Sequence, residues 1–257
     1  MSPSDGRIIA MRSVSKVYDT RNEPVVALSD VTLDIAAGEF VSFVGPSGCG
    51  KSTLLNIIGG LLDRTAGDLW FKGEEQREPR HEIGMMFQRP VLFEWRTILD
   101  NVLLPVEILG RDRRAYRSRA MELLELTGLK GFERHYPREL SGGMQQRVAL
   151  SRVLVYDPEV LLLDEPFGAL DEFTRETMNL ELLRIWNTTH KTIVFVTHNI
   201  NEAVFLSDRV VVMTPRPGQV ARVLDVGLPR PRTRDIMKSP AYADGVFEVR
   251  EVLGVAR

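Results

Sequence analysis

The 257-residue sequence holds a single cysteine, Cys49, so no internal disulfide forms and an oxidising compartment gains no support. It also lacks a membrane-length hydrophobic run. A spanning helix needs about 20 apolar residues, and the best runs, at 54–62 and 160–163, are far shorter. Charge of one sign is missing too. Against 35 Asp and Glu stand 33 Lys and Arg, a net of −2, which creates no general field for nucleic acid or anionic lipid. Residues 1–12 place Asp5, Arg7 and Arg12 among short apolar pieces, so no signal-peptide core is expected there. Internal repeats and low-complexity tracts are absent. With 44% hydrophobic and 26% charged residues, disorder and collagen-like repeats are excluded, and the length suits one large domain or a core with a subdomain. Service to a membrane is therefore expected from the water side, through a partner.

What is present is an alternation. Residues 8–17, 25–28 and 31–35 are expected as strands, with a polar loop at 18–24 and a turn at Ala37-Gly38. The apolar run 40–44 is expected as a buried strand ending in a glycine-rich turn, and 52–58 as the following helix. Later come strand 160–163, helix 172–186, strand 192–196, helix 200–206 and strand 209–213. Such strand–helix alternation predicts a parallel sheet wrapped by helices. From 97 to 136 no good strand occurs, and 111–126 has helical spacing with many arginines. That stretch is expected to be a helical subdomain set into the α/β core, with Arg111, Arg113, Arg114, Arg117 and Arg119 forming a solvated face.

Gly45-Pro46-Ser47-Gly48-Cys49-Gly50-Lys51-Ser52, followed by Thr53, fits G-x-x-x-x-G-K-[ST], the P-loop pattern. Glycines let the backbone turn with positive φ and bring N–H groups against phosphate oxygens. The next helix points its positive end at the same anion. Lys51 is expected to neutralise the β- and γ-phosphates and Ser52 to offer its hydroxyl to Mg²⁺. Cys49, inside this loop, is expected to be a target whose bulky thiol adduct blocks phosphate.

A second apolar strand ends in carboxylates: Val160-Leu161-Leu162-Leu163-Asp164-Glu165. Strands of this kind deliver such groups to the carboxyl edge of the sheet, where the P-loop is also expected. Asp164 is the expected Mg²⁺ partner, and Glu165 the group that polarises an attacking water.

Leu140-Ser141-Gly142-Gly143-Met144-Gln145-Gln146-Arg147, directly before an apolar helix, resembles the signature motif of ABC ATPases. Physically it repeats the P-loop's logic, a second anion-binding helix end. The resemblance implies an α/β P-loop NTPase (RecA-like) core with an N-terminal antiparallel β subdomain and an inserted α-helical subdomain. It places 1–88 and 157–230 in the core and β subdomain, 89–156 in the helical subdomain, and 231–257 in a short helical tail. It implies a head-to-tail homodimer in which ATP lies between one subunit's P-loop and the other's signature, so Ser141, Gly142, Gly143 and Gln145 join the nucleotide residues. It also implies that Tyr18 stacks on adenine and that Gln88 senses Mg²⁺ and water and links to the transporter subunit. By the same resemblance Asp171, in Gly168-Ala169-Leu170-Asp171, belongs to the loop facing the other subunit, and His198 contacts the γ-phosphate. Met144 and Asn199 depart from the broader pattern without touching a residue needed for chemistry.

The P-loop, the stretch Glu165-Pro166-Phe167-Gly168-Ala169-Leu170-Asp171 and the tail Leu228-Pro229-Arg230-Pro231-Arg232 look like the nitrate/sulfonate/taurine importer group. Importers of thiamine precursors or riboflavin resemble it too, and a soluble non-transport ABC ATPase is a further alternative. Importer membership implies integral membrane permease subunits, docking near Gln88–Trp95, an indirect solute-binding protein, and a peripheral place on the cytoplasmic face of the membrane. No nucleic-acid partner is expected. Phe93 and Trp95 beside Gln88 suit a groove for a short cytoplasmic helix. A P-loop kinase or GTPase is opposed by Leu140–Gly143 and His198, and no Asn-Lys-x-Asp guanine-reading motif occurs.

Overall fold

The computed structural model describes residues 6–21 and 23–254. The first five residues of the 1–12 stretch, Asn22 of the 18–24 loop and the last three residues of the tail lie outside the described residues. In chain order the elements are β1 (Arg7–Tyr18), β2 (Val25–Ala36), β3 (Phe40–Val44), α1 (Lys51–Ile58), β4 (Ala66–Phe71), β5 (Glu74–Glu75), β6 (Ile83–Met86), α2 (Ile98–Ile108), α3 (Arg113–Leu126), α4 (Gly142–Leu154), β7 (Val160–Asp164), α5 (Glu172–Thr189), β8 (Thr192–Val196), α6 (Ile200–Leu206), β9 (Arg209–Met213), β10 (Val220–Asp225) and α7 (Pro240–Val252). The chain divides into two compact units, Met1–Arg80 with His190–Arg257, and His81–Thr189.

In the first unit β1 is antiparallel to β2 and β4, and β5 closes that sheet beyond β4. A second sheet sets β3 parallel to both β8 and β9, with β10 antiparallel on β9. All five residues of β3 and of β8 are buried, as an apolar run covered on both faces requires. Phe40 and Phe195 meet across the pair at 6.0 Å. In the second unit β6 and β7 pair in parallel. Three helices there start on side-chain caps: Thr97 for α2, Asp112 for α3 and Ser141 for α4. Each cap satisfies an amide that the first turn leaves open.

Several expectations change. Stretches 25–28 and 31–35 are one strand, β2, because Asp30 takes φ 53 and lets the ladder continue through an irregularity. Strands β4, β5, β6 and β10 are additions to the sequence reading, being short or carrying little apolar alternation. By compactness the chain breaks at residues 80/81 and 189/190, which leaves β6, β7 and α5 in the same unit as α2, α3 and α4. The arginine face is partly tied down: Arg113 is bonded to Asp100 and Glu107, and Arg111 donates to Tyr116 Oη and the Tyr156 carbonyl.

Candidate nucleotide site

In the first unit, β3 runs straight into the glycine-rich loop. Gly48 takes φ 75 and Gly50 φ 103, values that only glycine adopts without strain. At Gly50 a Cβ would also stand 2.6 Å from Leu28 Cδ2 and 3.0 Å from the Ala27 carbonyl oxygen. Gly50 sits at the start of α1, where no side chain caps the helix. Lys51 is 7% exposed and its Nζ donates to the Gly45 and Pro46 carbonyls at 2.8 and 3.0 Å. The ammonium is thus held over its own loop, where an incoming phosphate competes with neutral carbonyls. Ser52 is exposed at the helix start. Tyr18 closes β1, its ring partly exposed and its hydroxyl 3.4 Å from Thr53 Oγ1. Lys16 Nζ lies 5.2 Å from the Tyr18 ring centroid.

Cys49 departs from expectation. Its thiol is 1% exposed. A Cβ built on Gly45 would lie 2.9 Å from Cys49 Sγ and 3.0 Å from the Met213 carbonyl oxygen, so the sulfur packs beneath the loop. The open reagent target is replaced by a buried thiol.

His198 follows β8 as an exposed residue, directly before Asn199, which caps α6 by accepting from the Glu202 amide at 3.2 Å. Thr197 Oγ1 donates to Glu202 Oε2 at 2.6 Å and accepts from the Asn199 amide at 3.0 Å, so the turn bearing His198 is fixed on both sides.

In the second unit, β7 ends at Asp164, 5% exposed. Glu165 follows with φ 45, a left-handed conformation that costs a non-glycine residue on the order of 1 kcal/mol or more. The Gly168 amide donates to the Glu165 carbonyl at 3.1 Å and holds the turn. Gln88, just beyond β6, donates through Nε2 to Glu165 Oε2 at 3.3 Å. The two residues singled out separately in sequence therefore meet.

A third residue organises them. Gln146, 3% exposed, donates to the Gln88 carbonyl at 3.3 Å and accepts from the Ala169 amide at 3.4 Å. One amide thus connects the Gln88 turn, helix α4 and the 168–171 loop. Its burial and its partners are invisible in sequence, where it stands as one more glutamine of the signature.

Ser141 accepts from the Met144 amide at 3.3 Å and starts α4. Gly142 is open, with nothing within 4 Å of a built Cβ, whereas one on Gly143 would meet Leu170 Cδ2 at 2.7 Å. Gln145 turns back, donating to the Pro137 and Leu140 carbonyls at 2.9 and 3.3 Å. Asp171 accepts from the Thr174 hydroxyl and amide at 2.7 and 3.0 Å, bonds that hold its carboxyl below the ordinary range.

Mg²⁺ suits these residues. The described residues contain no cluster of three or more His, Cys, Asp and Glu groups able to cage a metal. The Ser52 hydroxyl in the first unit and the Asp164 carboxylate in the second are each hard oxygen donors, the chemistry that Mg²⁺ takes.

A glycine-bound anion cradle after a buried parallel strand, with Asp164 and Glu165 closing another, defines a P-loop nucleoside triphosphatase. The chain belongs to the ABC transporter family, whose profile matches residues 28–168. It is 44% identical to the taurine import ATP-binding protein TauB of Jannaschia sp. over 254 residues, spanning 96% of this chain and 93% of the relative. It is 42% identical to the aliphatic sulfonates import ATP-binding protein SsuB of Bacillus cereus over 226 residues, 88% of this chain and 89% of that one. Among solved structures, the dimeric structure of a bacterial ABC transporter cassette matches with TM-score 0.78 and 38% identity, covering 84% of this chain and 98% of that one. The same cassette in a post-hydrolysis state bound to ADP and Pi matches with TM-score 0.77, at 37% identity over 84% and 98% of the two chains. The fold is the α/β fold of P-loop NTPases, and the activity of the class is ATP hydrolysis with Mg²⁺. Among the described residues no helix is long and apolar enough to cross a membrane.

Proposed function

We propose that this chain is the ATP-hydrolysing subunit of an importer for a small sulfonate of the taurine type. It works as a homodimer on separate permease subunits, at the cytoplasmic face of the membrane. The observation that supports the catalytic reading is the hydrogen bond from Gln88 Nε2 to Glu165 Oε2 at 3.3 Å, between the amide we take as sensor and the carboxylate we take as base. Relatives named for taurine and sulfonate import, 42–44% identical over most of the chain, favour this cargo class over vitamin precursors and over a non-transport ATPase.

The residues divide the work. Tyr18 stacks on adenine, and residues 45–53 wrap the phosphates with backbone amides. Ser52, Asp164 and Gln88 would hold Mg²⁺, which would supply positive charge against the phosphate oxygens. Across the dimer, Ser141 and Gly142 close the second anion-binding helix end on the nucleotide, with Asp171 in the loop beside it. Glu165 takes a proton from the attacking water, its left-handed backbone and the Gln88 amide fixing the carboxylate. Lys51 and His198 stabilise the charge that develops on the transferring phosphoryl group. Hydrolysis severs the γ-phosphate from ADP, so the link between the two anion-binding ends is lost and the dimer reopens.

The permease surface is the loop after Gln88. Trp95 is 72% exposed and stacks on Phe93 at 4.8 Å. Buried Asn101 donates to the Phe93, Arg96 and Thr97 carbonyls, and Arg152 donates to the Pro90 and Val91 carbonyls. The aromatic pair is thus held out on a stiff loop, which suits capture of a short amphipathic helix.

Glu165→Gln tests the reading. The variant keeps hydrogen-bonding capacity but cannot accept the proton. It is expected to bind ATP, turn over at least ~100-fold more slowly and accumulate as a closed dimer. Wild-type turnover would remove Glu165 from the role of base.

A further inference from the structure

The Arg230-Pro231-Arg232 segment meets the end of α6 opposite His198. The last carbonyls of a helix have no partner within it. Here Arg232 Nη1 reaches those of Val204, Phe205 and Ser207 at 3.3, 2.9 and 2.8 Å, and Arg230 Nη2 reaches that of Leu206 at 2.8 Å. Two cations therefore take four successive carbonyls at the negative end of the helix dipole. Arg232 is 4% exposed. Burial and the neighbouring Arg230 bring its guanidinium down to about 10, which leaves it charged at neutral pH.

The clamp also reaches the strand that feeds the P-loop. Arg230 Nε donates to Asp208 Oδ1 at 2.8 Å, and Asp208 Oδ2 accepts from the Phe40 amide, the first of β3, at 2.9 Å. Ser207, which ends α6, is hydrogen-bonded to the buried Ser42 of β3. Helix α7 adds a bond near the other end of α6, from Tyr242 Oη to the Asn201 carbonyl at 3.1 Å. The helix that starts beside His198 is thereby locked against β3, whose end is the phosphate cradle.

We infer that Arg230 and Arg232 are positioning residues for hydrolysis, setting where His198 stands relative to the P-loop by fixing the axis of α6. The inference rests on the proposed role of His198. Seven residues and barely two turns give α6 little stiffness of its own, so orientation comes from its ends.

The test is a double-mutant cycle in steady-state and single-turnover ATPase assays. Arg232→Ala is expected to lower kcat about tenfold while KM for ATP changes less than about twofold. Arg232→Lys, which restores a charge without the planar fork, is expected to recover part of the loss. In a His198→Ala background the same Arg232 substitutions are expected to have no further effect. An unchanged kcat in Arg232→Ala, or an equal loss with and without His198, overturns the inference. If Arg232→Ala does not fold, Arg230→Ala, which removes the bonds to the Leu206 carbonyl and to Asp208, takes its place in the cycle. A kcat loss that vanishes without His198 then supports the inference, and no loss or an equal loss overturns it. Should His198→Ala itself turn over normally, the role of His198 in the proposed function fails instead.

Discussion

Gly142 and Gly143 are adjacent glycines at the start of α4 with different surroundings, and an alanine at each separates function from folding. At Gly142 a methyl group meets nothing within 4 Å. Alanine is favoured over glycine in a helix interior by about 0.8–1.0 kcal/mol, and roughly half of that is available at the first residue. Gly142→Ala is therefore expected to melt at or slightly above the wild type. In the proposed dimer, however, that open space admits the partner's triphosphate. Losing one amide–phosphate hydrogen bond costs about 1.5–3 kcal/mol, or roughly 10- to 100-fold in apparent ATP affinity at 1.4 kcal/mol per decade. At Gly143 the methyl group stands 2.7 Å from Leu170 Cδ2, and Leu170 is itself 5% exposed. Forcing that side chain aside costs about 1–3 kcal/mol, more than the helix gains. Gly143→Ala is thus expected to lower stability and shift the 168–171 loop. Thermal melting reads one effect, and ATP-dependent dimerisation by size exclusion, in the Glu165→Gln background, reads the other. A Gly142→Ala chain that dimerises at wild-type ATP concentrations refutes the shared-nucleotide reading. A Gly143→Ala chain that melts with the wild type refutes the packing argument.

Two further outcomes follow from burial. Cys49, under the loop, is expected to react with maleimide at least ~100-fold more slowly in the native chain than in denaturant, because a buried thiol is inert; comparable rates would place the sulfur at the surface. Tyr156 is raised by burial to about 12 from 10.0. Between those values the unfolded chain has released a proton that the folded chain retains, so stability falls as pH rises through this window. The full shift corresponds to roughly 3 kcal/mol, of which about 1 kcal/mol is expressed by pH 11 for a partly exposed ring. Urea midpoints at pH 8 and 11 are expected to converge by this margin in Tyr156→Phe relative to the wild type, and an identical slope in both chains would refute it.

Side-chain chemistry was legible in the sequence where spacing alone defines it. The P-loop, the carboxylates after residue 163 and the strands at 192–196 and 209–213 follow from residue type and order, and the structure places them accordingly. What escaped is directed at backbone. Gln146 reads a carbonyl 58 residues before it and an amide 23 residues after it. Arg230 and Arg232 are legible as a basic, proline-spaced tail, yet most of their partners are peptide oxygens of α6. A carbonyl is the same at every position, so no charge pattern or periodicity announces where such a side chain lands. The same holds for φ 45 at Glu165, where the proposed base takes a conformation its residue type does not favour. In this chain the groups that perform chemistry are written in residue identity, while those that aim them act through peptide groups and become visible only when the chain has folded.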